Sequence, residues 1–191
     1  MAADDLTETQ LSSRSVYRGN LLHVKEDRVA LPNGRQAVRE YIVHPGAVVV
    51  IPLLANGEVV LERQFRYPLR RDVLELPAGK IDPGEPPLAC GQRELREETG
   101  YIALKWRYVA TIHPCIGYSD ESMRLYLAEE LTLGKHNRDG DEFLEIFTLP
   151  LAEALEWVRS GRITDVKTVI GLFWAEKIAQ GWQPPEFPCP A

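Results

Sequence analysis

The sequence predicts an α/β or α+β sandwich. Short runs rich in Val, Ile, Leu and Tyr are bounded by Gly, Pro and Asn, which is typical of strands separated by turns. Stretches with helical start and stop signals are interspersed among these runs and follow them. The 191 residues are 45% hydrophobic and 26% charged, which allows one large domain, or one domain with a small addition, around a sizeable core.

The first third of the chain predicts a polar leader followed by two β-hairpins. Residues 1–15 are polar and predict a flexible leader. A Pro-Asn-Gly turn at 32–34 lies between two β-rich runs, which is a strong hairpin signal. The apolar run over 47–54 predicts a strand covered on both faces, and an Asn-Gly turn at 56–57 leads to a second strand at 58–65.

The rest of the chain predicts three helices and further strands. After a short strand and a Gly/Pro loop, a helix over 88–99 is expected to open at a Pro-Pro pair and to end at Gly100. The remaining predicted elements are strands at 104–113, 122–130 and 143–149, a helix from Pro150 to about Ser160, a helix from a Thr164 cap to about Gln180, and an extended Pro-rich tail over 183–191.

Charge and cysteine content limit the partners and the location. The formal net charge of −6 does not favour a nucleic-acid partner, although cations could reverse the local charge for a small anionic substrate. Cys90, Cys115 and Cys189 are odd in number and widely spaced, which argues against a disulfide framework and a structural zinc site. We therefore expect a cytoplasmic protein with no signal peptide and no contact with a membrane.

The predicted helix over 88–99 carries several carboxylates on one patch. Glu94, Glu97 and Glu98 are spaced i, i+3 and i+4, so their side chains converge on one face. Arg93 is four residues before Glu97 and can pair with it. One interpretation is an ordinary solvated face. The other is a divalent cation site, since Mg²⁺ prefers carboxylate, carbonyl and water oxygens and would offset the repulsion between the carboxylates.

The residues around this helix resemble the Nudix box. The pattern reads Gly79, five residues, Glu85, seven residues, Arg93-Glu94-Leu95, one residue, Glu97-Glu98, one residue and Gly100. Every fixed polar and glycine position is present, and the only departure is the usually aliphatic last position, which is Tyr101. So many fixed positions within a short stretch favour the cation site over the solvated face.

The Nudix resemblance implies a fold and a metal site. The fold is a Nudix α/β/α sandwich with a mixed sheet over 46–182, preceded by a small N-terminal antiparallel β domain over 16–45. The metal is Mg²⁺, with Mn²⁺ as an alternative. The implied ligands are Glu94, Glu97 and Glu98, the Ala78 carbonyl, and Glu85 as an accessory contact, with Glu97 also counted as catalytic.

Beyond the box, residues 15–180 resemble, in outline, the ADP-ribose pyrophosphatase branch of the family. The stretches that carry this likeness are 16–24, 39–53, 59–69, 113–131 and 139–175. One departure concerns the marker proline of the branch. Pro114 lies closer to the box than usual, and two residues separate it from Gly117. This departure leaves the choice of substrate open.

The branch resemblance also implies substrate contacts. Arg63 and Arg66 are expected on one face of their strand, with Arg66 the stronger candidate for a diphosphate contact, because a guanidinium can grip phosphate with two hydrogen bonds. Tyr17 and Arg39 lie in the N-terminal domain, which in this branch helps to build a homodimer and contributes adenine contacts across its interface. Ordinary strand positions are an equally good interpretation of these N-terminal residues.

The branch places its catalytic base on a loop just before the closing strand. Glu142 is the candidate by that match, and Asp141 and Glu145 are neighbours that could take its place. A loop carboxylate within hydrogen-bond reach of a water molecule is a physically reasonable base.

The expected reaction is Mg²⁺-dependent hydrolysis of ADP-ribose to AMP and ribose 5-phosphate. One alternative is the same chemistry on another nucleoside diphosphate sugar, such as GDP-mannose, or on a dinucleotide. The other is a nucleotide-sensing module without hydrolysis, although such modules usually have a damaged box. The sequence leaves open which phosphorus is attacked, how many metal ions bind and what the physiological role is.

Overall fold

The computed structural model of the chain describes residues 5–134 and 143–183. In this part the chain forms ten β-strands, three α-helices and two short turns of other helical types. This composition agrees with the predicted mixture of helices and strands. None of the described helices is long and apolar enough to cross a membrane.

The described residues divide into two units. The first unit comprises the residues up to Pro45 together with Cys115–Ser122. The second unit comprises Gly46–Pro114 and the residues from Met123 onward. The inclusion of Cys115–Ser122 in the first unit was not predicted, because this segment is far from the N-terminus in sequence.

The first unit is built on a three-stranded antiparallel sheet in the order β1-β2-β3. Its strands are β1 (Thr9–Arg18), β2 (His23–Ala30) and β3 (Gln36–Val43). The predicted hairpin turn joins β2 to β3, and Gly34 in this turn has a φ of 79°, which favours glycine. The Cys115–Ser122 segment runs beside β3, since the Ile42 amide donates to the Tyr118 carbonyl at 2.9 Å.

The prediction of a flexible leader over residues 1–15 is wrong for its second half, which belongs to strand β1. Residues 9–15 lie in this strand, which pairs with β2 from Thr9 opposite Ala30 to Arg18 opposite His23. All ten residues of β1 are exposed, so their polarity reflects side chains in solvent. The backbone is nevertheless ordered by the hydrogen bonds of the ladder.

The second unit contains two sheets. The four-stranded sheet has the order β7-β4-β9-β8, and its strands are β7 (Ala78–Lys80), β4 (Ala47–Pro52), β9 (Met123–Leu133) and β8 (Tyr101–Ile112). It is mixed, because β4 pairs in parallel with β9 while the other pairs are antiparallel. The three-stranded antiparallel sheet has the order β10-β5-β6, with β10 (Leu144–Pro150), β5 (Glu58–Arg66) and β6 (Arg71–Glu75).

Strand β4 lies between two hydrophobic cores. All six of its residues are buried, which confirms the prediction of a strand covered on both faces. Val49 and Ile51 pack in a core that includes Leu172. Val48 and Val50 pack in a separate core that includes Leu95.

The predicted second hairpin is only partly correct. The turn after β4 forms, with the Leu54 amide donating to the Glu58 carbonyl at 2.8 Å. Apart from one bridge between Leu53 and Val59, however, β4 and β5 belong to different sheets. Strand β4 pairs with β9 along its whole length, and β5 pairs with β10 over most of its length, so each strand has a more extensive partner than the other.

Helices cover both faces of the mixed sheet. Helix α1 (Pro87–Glu94) contributes to the Leu95 core, and helix α3 (Val166–Ala179) contributes to the Leu172 core, while α2 (Leu151–Arg159) packs beside α3. This arrangement agrees with the expected sandwich. The cap of α3 is Asp165 instead of the predicted Thr164, because the Asp165 carboxylate accepts the Thr168 amide at 3.0 Å.

Core packing around Leu76 provides a test of this arrangement. Leu76 is fully buried and lies against Gly171 of α3. We expect Leu76→Ala to lower the free energy of unfolding by about 2–5 kcal/mol, because it removes buried methyl groups and leaves a cavity. Leu104 of β8 is 74% exposed, so Leu104→Ala should change this free energy by less than about 0.5 kcal/mol. Urea unfolding measures both, and equal effects would contradict the core assignment.

Candidate active site

Arg93, near the end of α1, forms ion pairs with three of the carboxylates predicted to belong to the site. It donates to Glu85 through Nε and Nη2 at 2.9 and 3.0 Å. Its Nη1 donates to Glu94 at 2.8 Å and to Glu97 at 3.1 Å. The predicted pairing of Arg93 with Glu97 is confirmed, and Glu85 and Glu94 join the same cation. We call Arg93 with these three glutamates the Arg93 cluster.

The Arg93 cluster retains excess negative charge. One guanidinium faces three carboxylates, so the positive charge is outnumbered. The hydrogen bonds from Arg93 lower the pKa of Glu85 to about 2, with a further contribution from the Asp82 amide. The same bonds raise the pKa of Arg93. At neutral pH this part of the surface is therefore suited to attract a cation.

Glu98 lies in a π-helical turn at Leu95–Thr99, which directly follows α1. The prediction of one regular helix over 88–99 is corrected here, because a π turn places one extra residue in the turn. Glu98 is buried, and its Oε2 accepts the Ala78 amide at 3.1 Å. This contact joins the helix to β7.

Thr99 supports the π turn. Its hydroxyl donates to the Leu95 carbonyl at 2.5 Å and accepts the Tyr101 amide at 3.1 Å. Gly100 then ends the turn with a φ of 77°, as the predicted helix stop requires. The sequence pattern indicated the glycine but not the part played by the threonine.

Gly79 is needed for the position of Glu94. A Cβ atom on residue 79 would lie 1.8 Å from Oε1 of Glu94, so any side chain there would displace the carboxylate. The glycine thus lets β7 and α1 approach closely enough for the carboxylate to lie over the backbone.

The donor chemistry of this site fits a hard divalent cation. Glu85, Glu94, Glu97 and Glu98 supply carboxylate oxygens, which Mg²⁺ and Mn²⁺ prefer. Among residues 5–134 and 143–183, no group of three or more His, Cys, Asp or Glu side chains is arranged closely enough to hold an ion as it stands. Arg93 instead binds oxygens of three of the carboxylates.

Arg63 and Arg66 lie on opposite faces of β5, which corrects the expectation that they share a face. Residues three apart in a strand point to opposite sides, because the side-chain period is two. Arg63 is exposed and pairs with Glu145 on β10 and Asp72 on β6. Arg66 instead pairs with Glu75, at 2.5 Å through Nε and 2.8 Å through Nη2.

Glu75 and Lys167 form a buried ion pair behind Arg66 that the sequence interpretation missed. The Glu75 side chain is 3% exposed and the Lys167 side chain is 8% exposed. A sequence signal existed, since Glu75 interrupts the apolar run Val-Leu-Glu-Leu of residues 73–76. A charged residue at a buried strand position requires a partner.

The two N-terminal candidates lie in the first unit. Arg39 pairs with Glu8 and also lines a cavity of about 230 Å³ between β3 and the Cys115–Ser122 segment. Tyr17 is 57% exposed, and its ring lies over Gly19. Neither residue is held in a buried packing position, so both remain candidates for binding.

Two of the three candidate bases lie outside the described part of the chain. Glu142 and Asp141 lie outside the described residues. Glu145 is described, and it lies on β10 where Arg63 donates to it through both Nε and Nη2.

Two family models match the chain. A NUDIX domain matches residues 43–167, and a nucleoside diphosphate sugar hydrolase N-terminal domain matches residues 8–42. The first match contains the Arg93 cluster and covers more than half of the chain. The chain belongs to the Nudix family. The resemblance inferred from the box is thereby confirmed.

This Nudix protein is similar to several known proteins. It is 37% identical to the ADP-ribose pyrophosphatase of Bacillus subtilis strain 168 over 169 residues. This alignment covers 87% of this chain and 91% of the relative. It is 32% identical to the GDP-mannose pyrophosphatase of Pectobacterium atrosepticum over 190 residues, and this alignment covers 93% of this chain and 95% of the relative. The crystal structure of an ADP compounds hydrolase matches with a TM-score of 0.82 and 25% identity, covering 91% of this chain and 95% of that one.

A methyl group at residue 79 tests the role of Glu94. We expect Gly79→Ala to weaken Mn²⁺ binding about 10- to 100-fold, because the methyl must displace the Glu94 carboxylate. Gly117→Ala is the control, since a Cβ there meets nothing within 4 Å. Calorimetric titration with Mn²⁺ measures both variants. Unchanged affinity in Gly79→Ala would contradict a role for Glu94 in the cation site.

Proposed function

We propose that this Nudix protein hydrolyses the diphosphate bond of ADP-ribose to AMP and ribose 5-phosphate, with Mg²⁺ as cofactor and Mn²⁺ as a substitute. The observation that carries this proposal is the acidic site around Arg93, assembled from the box residues, in a chain that matches an ADP-ribose pyrophosphatase along most of its length. The solved ADP compounds hydrolase supports the same class of substrate.

In this proposal the cation is held by Glu94, Glu97 and Glu98, with the Ala78 carbonyl and Glu85 as further contacts. The carboxylates have the required oxygen chemistry, and Glu98 is already fixed against the Ala78 amide. A divalent cation bound there supplies positive charge against the diphosphate and makes water more acidic. Glu97, which is the most exposed of Glu94, Glu97 and Glu98, is proposed to act in the reaction as well.

Arg66 is proposed to contact the diphosphate. Its pair with Glu75 uses Nε and Nη2, so Nη1 lies outside that pair, and the side chain is 43% exposed. A guanidinium suits phosphate because its N–H groups match the spacing of the oxygens. Arg63 is a second, weaker candidate, because Glu145 and Asp72 already occupy it.

Glu142 is proposed to take the proton from the attacking water, and Asp141 and Glu145 are the alternatives. Arg63 already donates to Glu145 through Nε and Nη2, so this carboxylate is engaged in an ion pair. A carboxylate already bound by an arginine has less freedom to approach a water molecule, which makes Glu145 the weaker candidate.

The first unit is proposed to build a homodimer and to contribute substrate contacts from Tyr17 and Arg39. Strand β1 supports this proposal, because Leu11, Val16 and Tyr17 are all more than half exposed on it. Exposed apolar side chains on one strand are typical of a surface that is covered by another chain. A cytoplasmic location stays a prediction from the cysteine content.

A second candidate function is hydrolysis of another nucleoside diphosphate sugar, such as GDP-mannose. The observation that favours it is the match to a GDP-mannose pyrophosphatase over nearly the whole chain. Both candidates use the same acidic site, so they differ only in the groups that recognise the base and the sugar.

A substrate panel tests the proposed reaction. ADP-ribose and GDP-mannose are incubated separately with Mg²⁺, and the products are identified by chromatography. We expect AMP and ribose 5-phosphate from ADP-ribose, with GDP-mannose cleaved much more slowly. Faster cleavage of GDP-mannose would favour the second candidate, and no cleavage of ADP-ribose would contradict the first.

Glu98→Gln tests the cation site in the same assay. We expect kcat to fall at least about 100-fold, because the change removes a carboxylate while keeping its volume and an acceptor for the Ala78 amide. Glu153→Gln on the exposed surface of α2 is the matched control and should keep full activity. Circular dichroism checks that both variants fold. Full activity of Glu98→Gln would contradict its role.

Three variants distinguish the candidate bases. We expect Glu142→Gln to lower kcat by about 10²–10⁴-fold with little change in KM, as loss of a general base does. Asp141→Asn and Glu145→Gln should each lower kcat less than about fivefold. A larger loss in either of these variants than in Glu142→Gln would move the assignment to that residue.

A further inference from the structure

A buried ionic network lies behind Arg66 and includes residues that the proposed reaction has not used. Glu75 accepts from Arg66 at both carboxylate oxygens, and it also accepts from Lys167 at Oε2. Lys167 donates in addition to Asp165 at 3.0 Å. Two cations and two carboxylates thus form one continuous chain of ion pairs, which we call the Glu75 network.

Burial makes the Glu75 network sensitive to the loss of any member. Glu75 and Lys167 have almost no solvent contact, whereas Arg66 is 43% exposed. Burial alone would raise the pKa of Glu75, but the bonds from Arg66 and Lys167 outweigh it and lower that pKa. A buried carboxylate that loses one of two cations leaves the other to compensate its charge alone.

Because Glu75 binds both Arg66 and Lys167, it influences the orientation of the Arg66 side chain. Lys167 supplies part of the positive charge that Glu75 requires, so Arg66 is not the only cation that compensates it. The Glu75 carboxylate also fixes the plane of the guanidinium through two parallel hydrogen bonds. Arg66 is therefore oriented at its buried edge, while its Nη1 lies outside the pair with Glu75.

The first turn of helix α3, which contains Lys167, also binds the segment that leads to the acidic site. Leu76 follows Glu75, and its amide donates to the Thr168 hydroxyl at 2.8 Å. Two residues later the Ala78 amide donates to Glu98 at 3.1 Å. The segment between the Glu75 network and the cation ligands is thus anchored at both ends, with few residues between them.

We propose that Lys167 is a positioning residue, which acts through Glu75 to orient Arg66 for the diphosphate of the substrate. This inference rests on the proposed function, because it assigns Arg66 to the diphosphate. It adds that helix α3, which carries none of the box residues, sets the affinity for nucleoside diphosphates.

The test compares Lys167→Met with Lys167→Arg and with Lys177→Met. Methionine keeps the length of the side chain without its charge, and arginine keeps the charge. Lys177 is an exposed lysine on the same helix, and its amine donates to Gln180 at 3.3 Å. We expect Lys167→Met to raise KM for ADP-ribose about tenfold with kcat changed less than about threefold. Lys167→Arg should recover part of this loss, and Lys177→Met should show none.

A double-mutant cycle separates positioning from a general effect on the fold. We expect Lys167→Met to raise KM far less in an Arg66→Gln background than in the parent, because its effect passes through Arg66. Glu75→Gln should show the same dependence on Arg66, and it replaces Lys167→Met if that variant does not fold. An equal effect in both backgrounds would overturn the proposal, since a purely structural role does not require Arg66.

Binding of ADP, measured by calorimetry, distinguishes failure of this inference from failure of the proposed reaction. ADP carries a diphosphate, and its binding does not require turnover. Weaker ADP binding in Lys167→Met supports the inference even if ADP-ribose is not the substrate. Unchanged ADP binding in Lys167→Met, or no ADP binding by the parent protein, would overturn it whatever the substrate panel shows.

Discussion

Strand β4 has no polar face, so other elements must cover its side chains on both sides. Helix α1 supplies the cover on one side and helix α3 on the other. Strand β7, which begins the acidic site, pairs with β4 as well, opposite Ala47–Val49. The burial of one apolar strand therefore brings together the helix that carries the carboxylates, the strand that precedes it and the helix that carries Lys167. A loss of this packing would separate parts of the site that lie far apart in sequence.

Within that frame, charge is arranged in two different ways. In the Arg93 cluster one cation faces three partly exposed carboxylates, which leaves negative charge for a divalent ion. In the Glu75 network cations and carboxylates are equal in number, and Arg66 is the most exposed member. A chain with a net charge of −6 thus carries both an acidic cluster, proposed as the cation site, and an exposed guanidinium, proposed to contact phosphate. The two arrangements are joined by the short segment from Glu75 to Ala78.

Much of the fold and of the acidic site could be predicted, because the signals are local. The turn at Gly34, the end of the helix at Gly100 and the pair between Arg93 and Glu97 each depend on residues within one or two turns of chain. The failures share a different cause. Strand β1 is exposed at every residue and owes its order to β2, and the pairing of Arg66 with Glu75 depends on β5 lying beside β6.

The sequence by itself determined the mixture of helices and strands, the buried character of β4 and the identity of the box carboxylates, since periodicity and spacing are properties of neighbouring residues. Only the tertiary structure decided that β4 and β5 part into different sheets, that the Cys115–Ser122 segment belongs to the first unit, and that Lys167 meets Glu75 across 92 residues. Contacts of this kind depend on which surfaces bury each other once the chain is compact. A linear pattern records that Glu75 needs a partner, but the packing of α3 against the sheets selects Lys167.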